Sequence, residues 1–272
     1  MKWLGLLLRY AALCVIAVVF IIPFVLLVSS ALKPATQQVY SFPPDLIPRP
    51  PVGTWFAEAW SKIPFLRYLG NSFFFEITMV PLNLLISALT AYPLARMRFA
   101  GRQFFFYAII STMFLPGEVM LIPRFLIIAR FHMVDSYLGV ILPGLIGAFG
   151  VFLLRQAFLQ IPRELEDAAR IDGCGEFRLW WQIMIPQIAP SLATLAVFDF
   201  VSVWNSFLWP LVILKDSNKF PISLGVAYLA GIFGSDVRSL AAGTVMALVP
   251  VLIFFLLMQR YFVSGLKGAV KG

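Results

Sequence analysis

Five polar side chains stand in stretches that are otherwise apolar: Glu76, Asn83, Glu118, Asp199 and Asn205. An ionisable or amide group in such a stretch is costly, so it faces a bundle interior or an aqueous cavity, where it binds a neighbour or handles a polar solute. Carboxylates and amides suit the hydroxyls of a polar solute, and aromatic rings suit apolar C–H faces. Asn205 fits that chemistry best, because Trp204, Phe207 and Trp209 flank it in "WNSFLWP". The competing assignment for each group is interhelical hydrogen bonding. Other chemistries find little material. His132 is the one histidine and lies in an expected loop; Cys14 and Cys174 are the two cysteines, one in an apolar run and one in a charged segment. No metal-ligand spacing results, and neither a Ser–His nor a paired-Asp intramembrane protease site can be assembled. A phosphate-cradling G-x-x-x-x-G-K loop is also missing, so the chain does not hydrolyse ATP itself.

A second group of residues is set apart by its charge. Between Arg163 and Arg178 the chain places five acidic residues and three arginines, in a protein that is 61% hydrophobic and 12% charged. Pro162 suits a helix start, where its missing N–H costs nothing. Glu164, Glu166 and Asp167 lie near the positive end of the helix dipole. Leu165, Ala168, Ala169 and Asp172 recur at helical spacing, with two small residues that allow close approach. Gly173 stops the helix, since glycine accepts the left-handed C-terminal cap, and Gly175 loosens the turn. "EFRLWWQIMI" begins a second helical segment that Pro186 closes. A short helix, a tight turn and a second helix, polar on one side and small on the other, make a docking element.

These residues have to be positioned by something, and the composition says what. A usual apolar share is about 45–50%; this excess calls for the bilayer as solvent. A spanning helix needs roughly 20 predominantly apolar residues, and six stretches qualify: about 10–32, 70–95, 104–129, 137–159, 190–214 and 239–262. Backbone groups in lipid must pair internally, and these runs are too long for barrel strands. The expected fold is an all-α membrane protein, one transmembrane domain over 1–272, with six transmembrane helices and a cytoplasmic loop at about 160–189 between helices 4 and 5. The first run exceeds a signal-peptide core of about 7–15 residues, so it reads as an uncleaved helix. Lys and Arg are biased to one side when both termini are cytoplasmic, "ARMRFAGR" above all. The net charge of +8 is scattered over loops and does not indicate nucleic acid. Outside, the Pro-rich segment from Lys33 to Gly70 contains "TWFAEAWSKI", a short interfacial helix. A 215–238 loop follows later in the chain and is expected to touch an external partner. Prolines 23, 81, 93, 116, 143, 210 and 250 interrupt the spans, as kinks or as hinges of a pathway.

The charged segment resembles the cytoplasmic loop of importer-type ABC transporter permeases. Their pattern is E-A-A, three residues, Gly, nine residues, Ile, one residue, Leu-Pro. Here it reads Asp167-Ala168-Ala169, Gly173, Ile183 and Ile185-Pro186, with Asp for Glu and Ile for Leu. "FLPGEVMLIP", "LPGLIGAFGVFLLRQ", "WNSFLWPL" and "QRYFVSGLKGAVKG" resemble the carbohydrate-uptake branch, on the side of the smaller maltose-type permease. The resemblance implies a heterodimer with a second homologous permease, a dimer of cytoplasmic ATPase subunits that bind ATP and Mg, and an extracytoplasmic solute-binding protein. It implies no cofactor on this chain, a bacterial-type inner membrane location, and transport by alternating access. It makes Glu166, Asp167, Ala168, Ala169, Asp172, Gly173, Ile183 and Pro186 the coupling set, and the first helix of the loop the coupling helix. Glu118, Asp199, Trp204 and Asn205 form the candidate pathway set. A sugar, a polyol glycoside or a glycerophosphate ester suits the branch. No Arg or Lys stands well inside a span except Arg124, which is expected near an outer end, so a neutral sugar is favoured over a phosphate ester. A secondary transporter needs midplane charges such as Glu76 or Asp199 and repeated halves, which are not visible.

Overall fold

The computed structural model describes residues 2–231 and 236–269, without the side chains of Lys2, Leu4 and residues 260–269. Among the described residues every regular element is helical. In chain order they are α1 (Lys2–Leu32), α2 (Thr54–Lys62), α3 (Phe65–Arg96), α4 (Arg102–Ser111), α5 (Leu121–Arg130), α6 (Tyr137–Ile141), α7 (Ala148–Leu159), α8 (Arg163–Ile171), α9 (Glu176–Arg178), α10 (Ile185–Gln187), α11 (Ala189–Trp204), α12 (Leu208–Ile213), α13 (Ile222–Gly231) and α14 (Val237–Ala269).

Among the described residues three helices are long and apolar enough to cross a membrane: α1, α3 and α14. The expected spans at 10–32, 70–95 and 239–262 correspond to them. The other three are broken, each near a proline. The 137–159 stretch is α6, continued by a 3₁₀ turn at Leu142–Gly144 that contains Pro143, and α7, with a bend of 41° between Gly144 and Ala148. The 104–129 stretch is α4 and α5, separated by a 3₁₀ turn and an irregular segment holding Pro116 and Gly117. The 190–214 stretch ends its main helix at Trp204 and resumes at Leu208, with Pro210 in the first turn of α12, where no N–H is required. Counting each bent pair as one span gives up to five crossings by length and composition; the pairs are α6–α7 and the segment Glu176–Gln187 with α11.

The fold groups into two compact units. The first comprises Met1–Arg67 and Ile222–Pro250. Its Pro-rich segment is built rather than loose. Gln37 Nε2 donates to Asp45 at 2.7 Å and its Oε1 accepts from Arg49 N at 3.0 Å, while Trp55 Nε1 donates to Lys33 O at 2.7 Å. The buried Arg238 is bonded to Asp236, Ala35 O and Gln37 O and lies over the Trp55 ring. The interfacial helix expected in "TWFAEAWSKI" is α2. The expected 215–238 loop differs: it contains α13, because "ISLGVAYLAG" buries Ile222, Leu224, Gly225 and Leu229 as a helix. Residues 232–235 of that loop lie outside the described residues.

The second unit comprises Tyr68–Pro221 and Val251–Gly272. Its core joins Ala88, Ala91, Tyr92 and Ala95 of α3 to Val151, Leu154 and Phe158 of α7, and to Ala169, Leu179, Trp180, Met184 and Leu195. Small residues let backbones approach closely where lipid removes the usual hydrophobic drive. Gly144, Gly147 and Gly150 present that surface to α3. A Cβ on Gly144 would meet Met79 Cε at 2.4 Å, and one on Gly150 would meet Ser87 Oγ at 2.5 Å.

Candidate functional site

The charged segment folds as a helical hairpin on the end of α3. Pro162 takes the position just before α8, with φ −58° and ψ 140°, and Arg163 is the first helical residue. At the other end Asp172 is the C-cap and Gly173 has φ +75°. Cys174 N donates to Ala169 O at 3.0 Å and Gly173 N to Arg170 O at 3.0 Å. These two bonds are those of the Schellman motif, which satisfies the last carbonyls and requires the left-handed residue that glycine supplies without strain.

The two faces of α8 do different things. Its inner face buries Ala169 and Glu166. Glu166 Oε1 lies 2.7 Å from Arg96 Nε, with both side chains almost wholly buried. The contact is one of charge, since its N–H direction falls outside hydrogen-bond geometry. Arg96 also donates through Nη2 to Ile161 O, at the chain's entry into α8. The outer face is exposed and carries Glu164, Asp167, Ala168 and Ile171, the last 86% exposed. Asp167 has only a 4.0 Å approach to Arg170 and is 70% exposed. Asp172 and Gly173 are exposed as well.

The second limb begins at Gly175, whose extended backbone caps α9. Glu176 is held from two sides. Arg170 Nη2 stands 3.0 Å from Oε1, and Tyr92 Oη donates to Oε2 at 3.4 Å. The Glu176 hydrogen bond raises the Arg170 pKa above its ordinary value. Leu179–Met184 then forms a π-helical turn that buries Leu179, Trp180 and Met184. Ile183 is half-buried against the core and Pro186 is exposed. Pro186 stands in the short α10 at the end of the helical run Glu176–Gln187, as expected of the residue that closes the segment, and the chain then turns by 77° before α11.

The pathway candidates separate. A cavity of about 200 Å³ in the second unit is lined by Asn83, Arg124, Asp199, Ser202, Ser206 and Trp209, among others. Arg124 lies 5.4 Å from the centroid of the Trp209 ring. Asn83 accepts from Ser87 Oγ at 2.9 Å, so part of its capacity is spent between turns of α3. Asp199 Oδ2 is buried without a hydrogen-bond partner, and so are both carboxyl oxygens of Glu76. The other expected members lie elsewhere. Glu118 is exposed in the segment between α4 and α5. Asn205 donates to Val201 O at 2.8 Å, a bond to its own helix end. Trp204 is buried, stacked on Phe200 and edge-on to Phe73 at 5.4 Å. Phe200 is stacked in turn on Phe254, so this aromatic column packs helices. The sequence reading missed Arg96, Tyr92 and Glu176. Tyr92 and Arg96 stand one helical turn apart on α3, a spacing legible in the sequence, but their partners lie more than 60 residues away.

Comparison with known proteins gives consistent results. Residues 51–268 match the family model described as "Binding-protein-dependent transport system inner membrane component". The chain is 37% identical over 263 residues to the arabinooligosaccharides transport system permease protein AraQ of Halalkalibacterium halodurans, covering 94% of this chain and 93% of that one. It is 36% identical over 242 residues to the sn-glycerol-3-phosphate transport system permease protein UgpE of Yersinia enterocolitica, covering 86% of each. Among solved structures, a chain of a bacterial ABC transporter that imports the acidic polysaccharide alginate superposes with a TM-score of 0.81 at 25% identity, over 94% of this chain and 95% of that one.

Proposed function

Because the chain belongs to the family of binding-protein-dependent transport system inner membrane components, we propose that it is one of two permeases in an ATP-driven importer for an oligosaccharide or similar polyol. The hairpin Arg163–Gln187 is then its cytoplasmic contact with the ATPases, both termini are cytoplasmic, and the spans number six when each broken stretch is counted as one. ATP and Mg bind the ATPase subunits, and this chain carries no cofactor of its own. A solute-binding protein delivers the cargo from outside, and a second, homologous permease closes the pathway.

The observation that carries this reading is the anchoring of α8. A helix whose inner carboxylate is fixed to α3 through Arg96, and whose outer face exposes Asp167, Ala168 and Ile171, can transmit a push on that face to a membrane-spanning helix. Packed interiors yield by shifting between arrangements rather than by stretching, so the displacement is passed on. The solute class follows from the relatives and from the cavity, where Asp199, Asn83 and two serines offer hydrogen bonds beside Trp209.

A glycerophosphate ester is the second reading. Arg124 reaches the cavity wall rather than staying at an outer end, and guanidinium matches phosphate. The deciding experiment reconstitutes the two permeases and the ATPase in vesicles with the cognate binding protein. ATP-dependent uptake of arabino-oligosaccharides or other neutral oligosaccharides supports the first reading. Uptake restricted to sn-glycerol 3-phosphate selects the second, and uptake of neither class overturns both.

A further inference from the structure

Three guanidiniums line one hollow at the α8 end of the second unit. Arg98 from the α3–α4 turn, Arg102 from the start of α4 and Arg163 from the start of α8 share a cavity of about 470 Å³ with Gln103, Phe99 and Phe104. No carboxylate lines it. Among the described residues none of the three arginines belongs to an ion pair, and Arg102 spends one donor on Met97 O at 3.1 Å. Arg155 adds further repulsion on Arg102. The positive-inside bias accounts for arginines in this turn. It does not account for their convergence, with a third from a segment some 60 residues later, on one concave site without an acid.

Like charges gathered this way repel unless an anion joins them. Guanidinium forks with several free N–H donors fit phosphate oxygens. The first residues of α4 lie in the wall, and a helix start adds a partial positive charge. The other wall is apolar and continues out of the hollow: Phe104 is 71% exposed and Tyr107, one turn on, is 64% exposed. A charged floor beside an exposed aromatic ridge, at the end of membrane helices, suits an amphiphile with a phosphate head.

We propose that this hollow binds the phosphate of an acidic phospholipid headgroup, with an acyl chain lying along Phe104 and Tyr107. Arg163 is the first residue of α8, so a seated headgroup ties the start of the docking helix to the bilayer. The site rests on the chain being in a membrane with this end on the lipid boundary; it is independent of which solute is carried.

The test uses the complete transporter, purified and placed in nanodiscs of phosphatidylcholine with or without phosphatidylglycerol. Retained lipid is read by native mass spectrometry. The parent is expected to retain phosphatidylglycerol over phosphatidylcholine, and Arg98→Gln with Arg102→Gln to lower that preference by about fivefold for each arginine removed. Equal retention by parent and variant overturns the proposal. Should the variant not assemble, the parent alone decides. Its thermal midpoint is expected to rise with phosphatidylglycerol and to lose that rise in high salt; no rise overturns the site. A third arm adds inorganic phosphate to phosphatidylcholine discs, and equal protection there overturns the lipid assignment in favour of a soluble anion.

Discussion

Arg96, in the last turn of α3, meets Glu166 of α8 at 2.7 Å, and each side chain is about 5–6% exposed. One turn earlier on the same helix, Tyr92 holds Glu176 on the other limb of the hairpin. A single face of α3 thus grips both limbs.

Breaking that buried pair leaves one charge without its partner. Arg96→Gln or Glu166→Leu is expected to cost about 3–5 kcal/mol locally and to abolish stimulation of the ATPase by the loaded binding protein. Tyr92→Phe, which removes only a long hydrogen bond at a half-exposed partner, should retain most of it. Equal loss in all three variants would show that the grip is not specific to Arg96 and Glu166. The measurement is ATPase rate in vesicles, with assembly checked by co-purification.

Gly173 has open space around its missing Cβ, so a substitution there meets no clash. The cost is confined to the left-handed backbone at φ +75°. Gly173→Val is expected to destabilise the hairpin by about 1–2 kcal/mol and to uncouple hydrolysis from transport. Gly173→Asn should be far milder, because asparagine tolerates that conformation. Equivalent transport by the two variants would refute the backbone explanation.

The exposed Asp167 is free to accept a charge-assisted bond from a basic residue of a docked ATPase. Asp167→Ala should weaken co-purification of the ATPase, by about 2–5 kcal/mol if the pair is desolvated, whereas Asp167→Glu should preserve it. Unchanged assembly of the alanine variant reduces the acid to a helix-dipole contribution of about 0.3–1 kcal/mol.

In the cavity, Asp199 and Asn205 make opposite predictions. Asp199 lines the wall with an unpaired oxygen, while Asn205 is bonded to its own helix. Asp199→Asn is expected to raise the half-saturating solute concentration for transport several-fold, and Asn205→Ala to leave it nearly unchanged. The reverse order would move the solute contact to the end of α11.

Asp135, in the turn between α5 and α6, accepts hydrogen bonds from the backbone N–H groups of Asp216 and Lys215 and from Lys219. Those bonds, the Asp216 N–H first, lower its pKa to about 2. A depressed carboxyl stabilises the folded state above the unfolded value of about 3.9 and loses that contribution as pH falls toward the folded value. Hydrogen exchange at the Lys215 and Asp216 amides should therefore be flat from about pH 8 to 5 after correction for intrinsic rates, and accelerate between about pH 4 and 2. Asp135→Asn should remove that acid step while keeping the turn, since asparagine also accepts the positive φ found there.

Much was legible in the residues alone because it is local. Apolar run length called for the bilayer, and α1, α3 and α14 lie where those runs do. The spacing of Gly173 behind an acidic, alanine-containing helix announced a left-handed cap, because the cap is a property of one residue and its near neighbours. Proline positions announced interruptions, but not how each was resolved. Whether the chain bends by 41° after Pro143 or by 77° after Pro186 depends on which neighbouring groups take up the freed hydrogen bonds. The helix inside the expected 215–238 loop was invisible for a related reason: "ISLGVAYLAG" is too short to read as a span, and its burial decides its state. Long-range pairing was beyond the sequence altogether. The motif places Glu166 with Asp167 in one docking set, yet the 100° step between successive helical residues turns one carboxylate inward to Arg96 and the other out to solvent. Arg124 and Asp199 share a cavity, whereas Trp204, beside Asn205 in the chain, points into an aromatic stack. Periodicity states which residues can share a face; only the packing of one helix on another decides which face is covered, and so which charges pair and which remain to bind a partner.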